Sequence, residues 1–480
     1  MSHFEETIEQ VTSFENKQRV EDDNERFMIY NGRIRDAVKR AITKEFQLPE
    51  TVQQLVGRII PINITQKIIN KLASVYNQSP VRTPKDKDLN DQELINLYQE
   101  SFMIDQKMKF ANRWFKLHKH TVIEPFVDHL GVPRMRALAS QMYTPFSDDP
   151  LQPERMTMLV KHAKISTTSP KDSRFHIWTD EMFVIVDGEG SPLLNEMVAL
   201  NNPEGVNPFG VIPQTYIAEA DDGNLIPISD DDLISMSIAI PLLLTDLAFA
   251  SKYQLWSILA IIGAEAENVT FNPNTVMSIP MGASLEVIKP ELDVDKALRT
   301  IEALVGLLLT TKNLSVSDVS LSLEGGKEAS GVAKMIDNAE TTEDRKDQQA
   351  FFANGEKTFW DKYARNILPV WVESKQLHQD YVGKFSEEFE LSIRFADPKP
   401  FIGDKDTVDL EVVKKDNNLT TDKMALQAIH PDKDEEEIQA LLDEIGKANQ
   451  EKVEAARKAM AEKPEEEDKE EEDGEDGTGA

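Results

Sequence analysis

The chain has 480 residues, 40% of them hydrophobic and 29% charged, with a formal net charge of -32 and no cysteine. That length holds about three domains with a sizeable core. The absence of cysteine excludes disulfides, thiolate zinc sites and cysteine nucleophiles, and the acidic surface argues against tight sequence-reading DNA binding. The first residues, MSHFEETIEQ, are acidic and carry no apolar signal core.

Residues 1 to about 80 read as helices, with Ile59, Ile62, Ile64, Ile68, Ile69, Leu72, Val75 and Tyr76 at near-helical spacing. Pro80, Pro84 and the run Lys85 to Asp88 mark a surface break, after which Asp91 to Leu117 returns to a helical pattern. Between Thr121 and Ser140, strand-like pieces are split by Pro125, Gly131 and Pro133. Ile165 to Leu194 predicts antiparallel strands, with a turn at Asp187-Gly188-Glu189-Gly190.

Ser229 to Asp232 supplies a cap and first-turn acids for a long apolar helix running from Leu233 to Gly263. Asp246 and Lys252 divide that segment into uncharged runs too short to span a bilayer, so it is expected to be buried or subunit-facing rather than transmembrane. A compact β-like stretch follows to Ile288, and a second apolar helix spans Asp293 to Lys312. Asn313 to Ala329 reads as a polar, Gly-containing loop of about 15 residues, long enough to suggest a functional or mobile role. A long helix then opens near Ser330 and runs towards Pro369, and residues 386–396 alternate as a strand. Leu410 to Ala448 reads as short helices. The stretch from Glu462 carries eleven acids and two lysines and is expected to be disordered.

Catalytic motifs are missing. Gly325-Gly326-Lys327 lacks both the earlier glycine and the following Ser or Thr of a phosphate-binding loop, and no G-x-G-x-x-G or H-E-x-x-H occurs. His118 and His120 are two residues apart, which suits ordinary surface histidines better than a zinc pair. The acidic clusters lack calcium-loop spacing.

The order of segments is more telling than any one of them. Asn63 to Val81 has the form N-x-x-x-x-I-[IV] followed by an exit at Pro80-Val81. Phe209 to Pro213 stands where an h-x-x-G-x-[IV]-P element is sought, and Gly210, Ile212 and Pro213 match its G-x-[IV]-P end. Ser330, Gly331 and Ala333 form an S-G-x-A element, and Ser392 to Pro400 is a late strand ending in D-x-x-P. This order, over roughly residues 25–445, resembles the portal proteins of tailed bacteriophages. Lys399 adds a charge that departs from the family's late element, and the acidic tail has no counterpart role.

The resemblance implies an α+β, mainly α, multi-domain portal fold assembled head-to-tail into a closed ring, usually of twelve subunits. The parts would be a wing (1–229), a first stem helix (230–263), a clip (264–290), a second stem helix (291–313), a tunnel loop (314–329), a wing helix and strand (330–400), a crown (401–450) and an acidic tail (451–480). Tunnel-loop residues near DNA would be Ser315, Ser317, Asp318, Ser320, Ser322, Gly325, Gly326 and Lys327. Candidate channel-facing acids are Asp230, Asp231, Asp232, Glu291, Asp293 and Asp295, with outward-facing stem acids or subunit salt bridges as the other reading. Clip docking would use Asn268, Phe271, Asn272, Asn274, Met277 and Met281.

The implied partners are further copies of the chain, double-stranded DNA passing without sequence reading, the terminase large subunit, head–tail adaptor proteins, and the major capsid and scaffolding proteins. No membrane, cofactor, metal or catalytic residue is implied, and the place is the virion's portal vertex after assembly in the host cytoplasm. The rivals are another structural or adaptor protein of a large assembly, and a metal-dependent nucleic-acid hydrolase.

Overall fold

The computed structural model describes residues 3–46, 48–166, 168–219, 224–255, 258–262, 284–288, 293–314, 339–395, 411–415, 420–429 and 438–447. It is a mixture of helix and strand, of the α+β class, in two compact units: residues 1–328 with 336–398, and residues 329–335 with 399–480.

The first unit begins with five helices: α1 (His3–Val11), α2 (Phe14–Tyr30), α3 (Ile34–Glu45), α4 (Pro49–Val56) and α5 (Ile64–Leu72). Their ends follow local chemistry. The Ser13 hydroxyl caps α2, Pro49 sits in the first turn of α4, and the Asn63 side chain accepts from Gln66 N at 3.0 Å to cap α5. Asn63 Nδ2 also donates to the carbonyls of Ile29 and Tyr30, tying α5 to the end of α2.

The short strand β1 (Val81–Pro84) leads to α6 (Leu89–Phe102) and α7 (Ile104–His118). The helical pattern through this region is interrupted at Met103, whose φ of 49° is left-handed and separates the two helices.

Strands β2 (His120–Val127) and β3 (Pro133–Leu138) form a hairpin. Its turn needs Gly131, with φ +78 and a would-be Cβ only 2.7 Å from His378 N. Next come β4 (Tyr143–Phe146), β5 (Met158–Lys164), β6 (Arg174–Thr179), β7 (Phe183–Val186), α8 (Leu194–Ala199) and β8 (Thr215–Ala218). The two sheets have orders β3-β2-β8 and β4-β5-β6-β7. Ile8 and Val11 of α1 pack on Val160, Phe175 and Val184 of the four-stranded sheet. The Asp187 carboxylate accepts from Glu189 N and Ser191 N, forming the Asp-Gly turn after β7, while β6 and β7 themselves join at Asp180–Met182.

Helix α9 (Asp232–Leu255) is followed by β9 (Ile258–Ile262), β10 (Ser284–Ile288) and α10 (Val294–Thr311). The sequence expectation of one helix through Gly263 is corrected here. The helix ends at Leu255, and Ile258–Ile262 is a strand, paired antiparallel with β10 from Ile258↔Ile288 to Ile262↔Ser284. A short apolar run satisfies helix and strand periodicities equally, and the ladder with β10 supplies the pairing that decides it.

Helix α11 (Ala339–Lys362) continues through a π-helical turn at Tyr363–Ile367 into α12 (Leu368–Glu373), with Pro369 in its first turn. Strand β11 (Leu391–Arg394) then pairs antiparallel with β1, more than 300 residues earlier in the chain. Around α11, Tyr98, Phe102, Phe352, Phe359, Trp360 and Tyr363 form the main aromatic core, with ring pairs such as Phe102–Tyr363 at 5.0 Å. In the second unit the described helices are 411–415, α13 (Asp422–Ile429) and 438–447.

Candidate functional site

The two apolar helices dominate the candidate site. At 24 residues, α9 is about 36 Å long, and α10 at 18 residues about 27 Å. Leu233 and Ile240 of α9 pack with Ile301, Val305, Leu308 and Leu309 of α10 and with Ile68 and Leu72 of α5. Another face of α9, carrying Ile234, Ile238 and Leu242, packs on the buried residues of α3 and α4.

Pro241 removes one helical N–H inside α9. Around it, Ser237 Oγ bonds Thr65 Oγ1 at 2.5 Å, and Thr245 Oγ1 donates to Pro241 O at 2.6 Å.

The segment Asp232–Ser251 is long and apolar enough to cross a membrane, yet only 28% of it is buried. Asp246 does not remove it from that length class, as the run lengths in the sequence had suggested. Leu243 stays 39% exposed and Leu307 of α10 64% exposed. Such area is costly to leave in water, at about 25 cal/mol per Å².

The three consecutive acids at the start of α9 come together with cations of the same chain. Asp230 binds Lys312 at 2.7 Å and Lys119 at 3.0 Å, Asp232 binds Lys312 at 2.8 Å, and Asp231 pairs with Arg26. Lys312 caps the C-terminal end of α10, where the helix dipole favours a cation. Burial alone acts to raise the Asp230 pKa, but the bonds from Lys312 and Lys119 outweigh it and hold the carboxyl below its ordinary value. Burial likewise opposes the Lys312 charge, and the two aspartates outweigh it and raise its pKa. A cavity of about 200 Å³ opens beside this cluster, lined by Leu72, Phe115, Lys116, Lys119, Asp230 and Lys312.

Asp293 lies at the other end of α10, where it accepts from Lys296 N at 2.9 Å as the helix cap, and Asp295 is exposed in the first turn. The structure therefore brings Asp230, Asp231 and Asp232 to one end of the hairpin and leaves Asp293 and Asp295 at the other. Glu291 lies outside the described residues. So do the clip positions Asn268, Phe271, Asn272, Asn274, Met277 and Met281, and the loop positions Ser315, Ser317, Asp318, Ser320, Ser322, Gly325, Gly326 and Lys327. Leu314, the expected first residue of that loop, is buried with α10.

Beneath the start of α9 lies a buried polar network that sequence reasoning missed. Asp23 bonds Arg19 at 3.0 Å, Arg26 at 3.3 Å, Ser140 Oγ at 2.5 Å and His118 Nδ1 at 3.1 Å. His120 Nε2 reaches Ser140 at 3.1 Å and its Nδ1 the Tyr143 hydroxyl at 2.7 Å. Burial works against the Asp23 charge, but His118, Ser140 and Arg19 prevail and hold it well below the usual carboxylate range. Burial pushes His120 down to about 3, keeping it neutral.

The expectation of surface histidines is corrected: both are fully buried, because β2 begins immediately after α7 and carries the pair into the sheet interface. Ser229 Oγ donates to His118 O at 3.2 Å, which links this network to α9. Asp23 sits in the charged string Glu21-Asp22-Asp23-Asn24-Glu25, and nothing local marks it out from its neighbours.

Two of the sequence elements singled out by order form joints of the first unit. Arg82, just after Pro80-Val81, makes a buried two-point bond to Glu356 of α11 at 2.7 and 3.0 Å, and Glu356 also accepts from the Tyr76 hydroxyl. In the loop before β8, Asn207 Nδ2 donates to the carbonyls of Thr179 and Val211, and Gly210 takes φ +66. Lys362 and Asn366, at the π-helical turn, clasp this loop: Lys362 Nζ donates to Ile212 O at 3.0 Å and Gln214 O at 2.9 Å, and Asn366 to Phe209 O. Burial lowers the Lys362 pKa to about 8 despite Asp180. Ser330, Gly331 and Ala333 lie outside the described residues. Among the described residues no group of three metal-type side chains is found.

No protein-family model and no curated protein matches the chain. Among solved structures, it is similar to a chain of the virion of a native gene transfer agent particle. The identity is 11% and the TM-score 0.38, over 82% of this chain and 98% of that one. It is also similar, at 11% identity and TM-score 0.36, to a chain of the neck of an empty gene transfer agent particle computed with C6 symmetry, over 79% of this chain and 92% of the other.

Proposed function

We propose that the chain is the portal subunit of a tailed-phage-like particle. In this reading it is a non-enzymatic protein whose copies close into a ring at one capsid vertex. DNA passes through that ring during packaging and ejection. The observation that carries the reading is the hairpin α9–β9–β10–α10: two long apolar helices bracketing a two-stranded ladder, with apolar surface that a single copy leaves uncovered. The order of the Asn63, Arg82 and Asn207 joints around it supports the same reading.

In a ring, a neighbour's hairpin covers the open faces of α9 and α10, and a head-to-tail contact closes by rotation. The acids at the start of α9 are paired within the chain, so in this reading they brace the base of the hairpin. Exposed Asp295 is left as a candidate for the lumen, where mild repulsion lets a duplex slide without deep wells. The ladder end of the hairpin would dock the terminase motor and then the adaptor proteins, and ATP hydrolysis would belong to the motor. Virion localisation, and contacts with capsid and scaffolding proteins, belong to the same proposal.

Negative-stain electron microscopy of the purified protein tests it. Face-on averages showing rings with a central hole wide enough for duplex DNA are the expected result. Monomers or dimers at every concentration would overturn it.

A further inference from the structure

We propose that the outward face of α3 is a phosphate-contact surface for duplex DNA, built from Arg35, Lys39, Arg40 and Lys44. The choice of duplex DNA among polyanions rests on the proposed function; the patch itself does not. Residues 31–73 carry eight Lys and Arg against three Asp and Glu, a positive island in a chain of net charge -32.

The fold turns that island outward. Ile34, Ala37, Val38 and Ile42 bury the opposite face of α3 against Leu55, Ile59 and the apolar side chains of α9. The exposed positions of α3 carry no apolar side chain. Among the described residues Lys39 and Lys44 have no salt bridge, and Arg40 has only the Glu25 pair, in which both side chains are exposed and the bond is correspondingly weak. Arg35 reaches the Val56 carbonyl at a marginal 3.4 Å.

Composition separates nucleic acid from a protein partner. Protein interfaces are depleted in lysine at their centres and enriched in aromatic side chains, whereas DNA-binding surfaces are polar and strongly positive. Spacing agrees. Arg35 and Lys39, and Arg40 and Lys44, are i,i+4 pairs that flank the exposed Asp36 and Thr43, so the four cations spread over about half of the helix circumference and about 14 Å of its length. One DNA strand presents a phosphate about every 3.4 Å of axis, so about four phosphates fall within that span. Repulsion from the acidic remainder of the chain is screened beyond about 8 Å at physiological salt, which leaves the local patch to decide contact.

The test is binding of a labelled random-sequence duplex to the full-length protein across a salt series, with the particles imaged in parallel. The variant Lys39→Ala/Arg40→Ala/Lys44→Ala is compared with Lys85→Ala/Lys171→Ala/Lys375→Ala, three exposed lysines elsewhere. Expected are an affinity loss of about tenfold or more at 50 mM salt and a salt slope shallower by about 2.7 for the first variant, with no change for the second. Equal affinity and slope for wild type and the α3 variant would overturn the inference. So would loss of assembly with DNA binding intact, which would make α3 a contact between copies. Rings that bind no DNA through α3 reject this inference alone, and α3-dependent binding by a chain that never forms rings supports it while rejecting the ring.

Discussion

The α9–α10 hairpin and the core around α11 solve the burial problem in opposite ways. Around α11 the large rings pack on one another within the chain: Trp360, Phe359 and Tyr363 are fully buried, and the Arg82–Glu356 charge pair is sealed among them. Along α9 and α10 the side chains are just as apolar, but much of the surface stays open, and the charge pairs gather at one end where water still reaches. The first region is complete as a protomer. The second has the composition of a core but stays largely open, as the proposed ring requires.

Breaking the first region has the largest expected effect. Glu356→Ala strands the Arg82 guanidinium in the core and should cost about 3–5 kcal/mol, read as a lower denaturant midpoint. A loss under 1 kcal/mol would show that Asp105, 2.7 Å from Arg82, suffices as its counter-ion.

Asn63→Ala removes the α5 cap and its two bonds to the end of α2, for an expected loss of about 1–2 kcal/mol by the same measurement. An unchanged midpoint would mean that water replaces all three bonds.

Lys312→Met sharpens the comparison through pH. The folded Asp230 pKa lies below its unfolded value, so its contribution is present above the ordinary carboxylate range and is lost as pH falls through the folded value. Lys312 is raised, so its own contribution is present below the ordinary lysine pKa and is lost as pH rises through the raised one. The wild-type advantage over the variant should be about 1 kcal/mol at neutral pH, since the aspartates are half exposed, and should vanish in acid. An advantage that persists at acid pH would assign the effect to packing of the lysine stem.

The smallest effect on the protomer is expected from Leu307→Ser, within about 0.5 kcal/mol because the residue is mostly exposed. Sedimentation of that variant should nevertheless show a lower assembly mass. Unchanged assembly would mean that the open face of α10 is not covered by a neighbour.

Legibility in the sequence followed the range of the interactions. The start of α9 at Ser229 to Asp232, the span of α10, the Gly131 turn and the Asp187-Gly188 turn rest on contacts within a few residues, and capping or turn chemistry reveals them. Strands β4 and β5 left no signal strong enough to read, because their pairing with each other and that of β5 with β6 supply most of what makes them strands. The Asp23 network joins residues 95 to 117 apart, and no local spacing encodes it.

By itself the sequence determined the acidity, the absence of cysteine chemistry, the two apolar helices and the order of elements around them, since composition and short-range periodicity carry these. Tertiary structure alone decided that Ile258–Ile262 leaves the helix for a ladder and that Asp230 to Asp232 are held by Lys119, Lys312 and Arg26. It likewise decided that His118 and His120 are interior and that α3 turns its cations outward. Each of these depends on a partner far away in the chain, and only closure of the fold brings that partner within hydrogen-bonding or van der Waals reach.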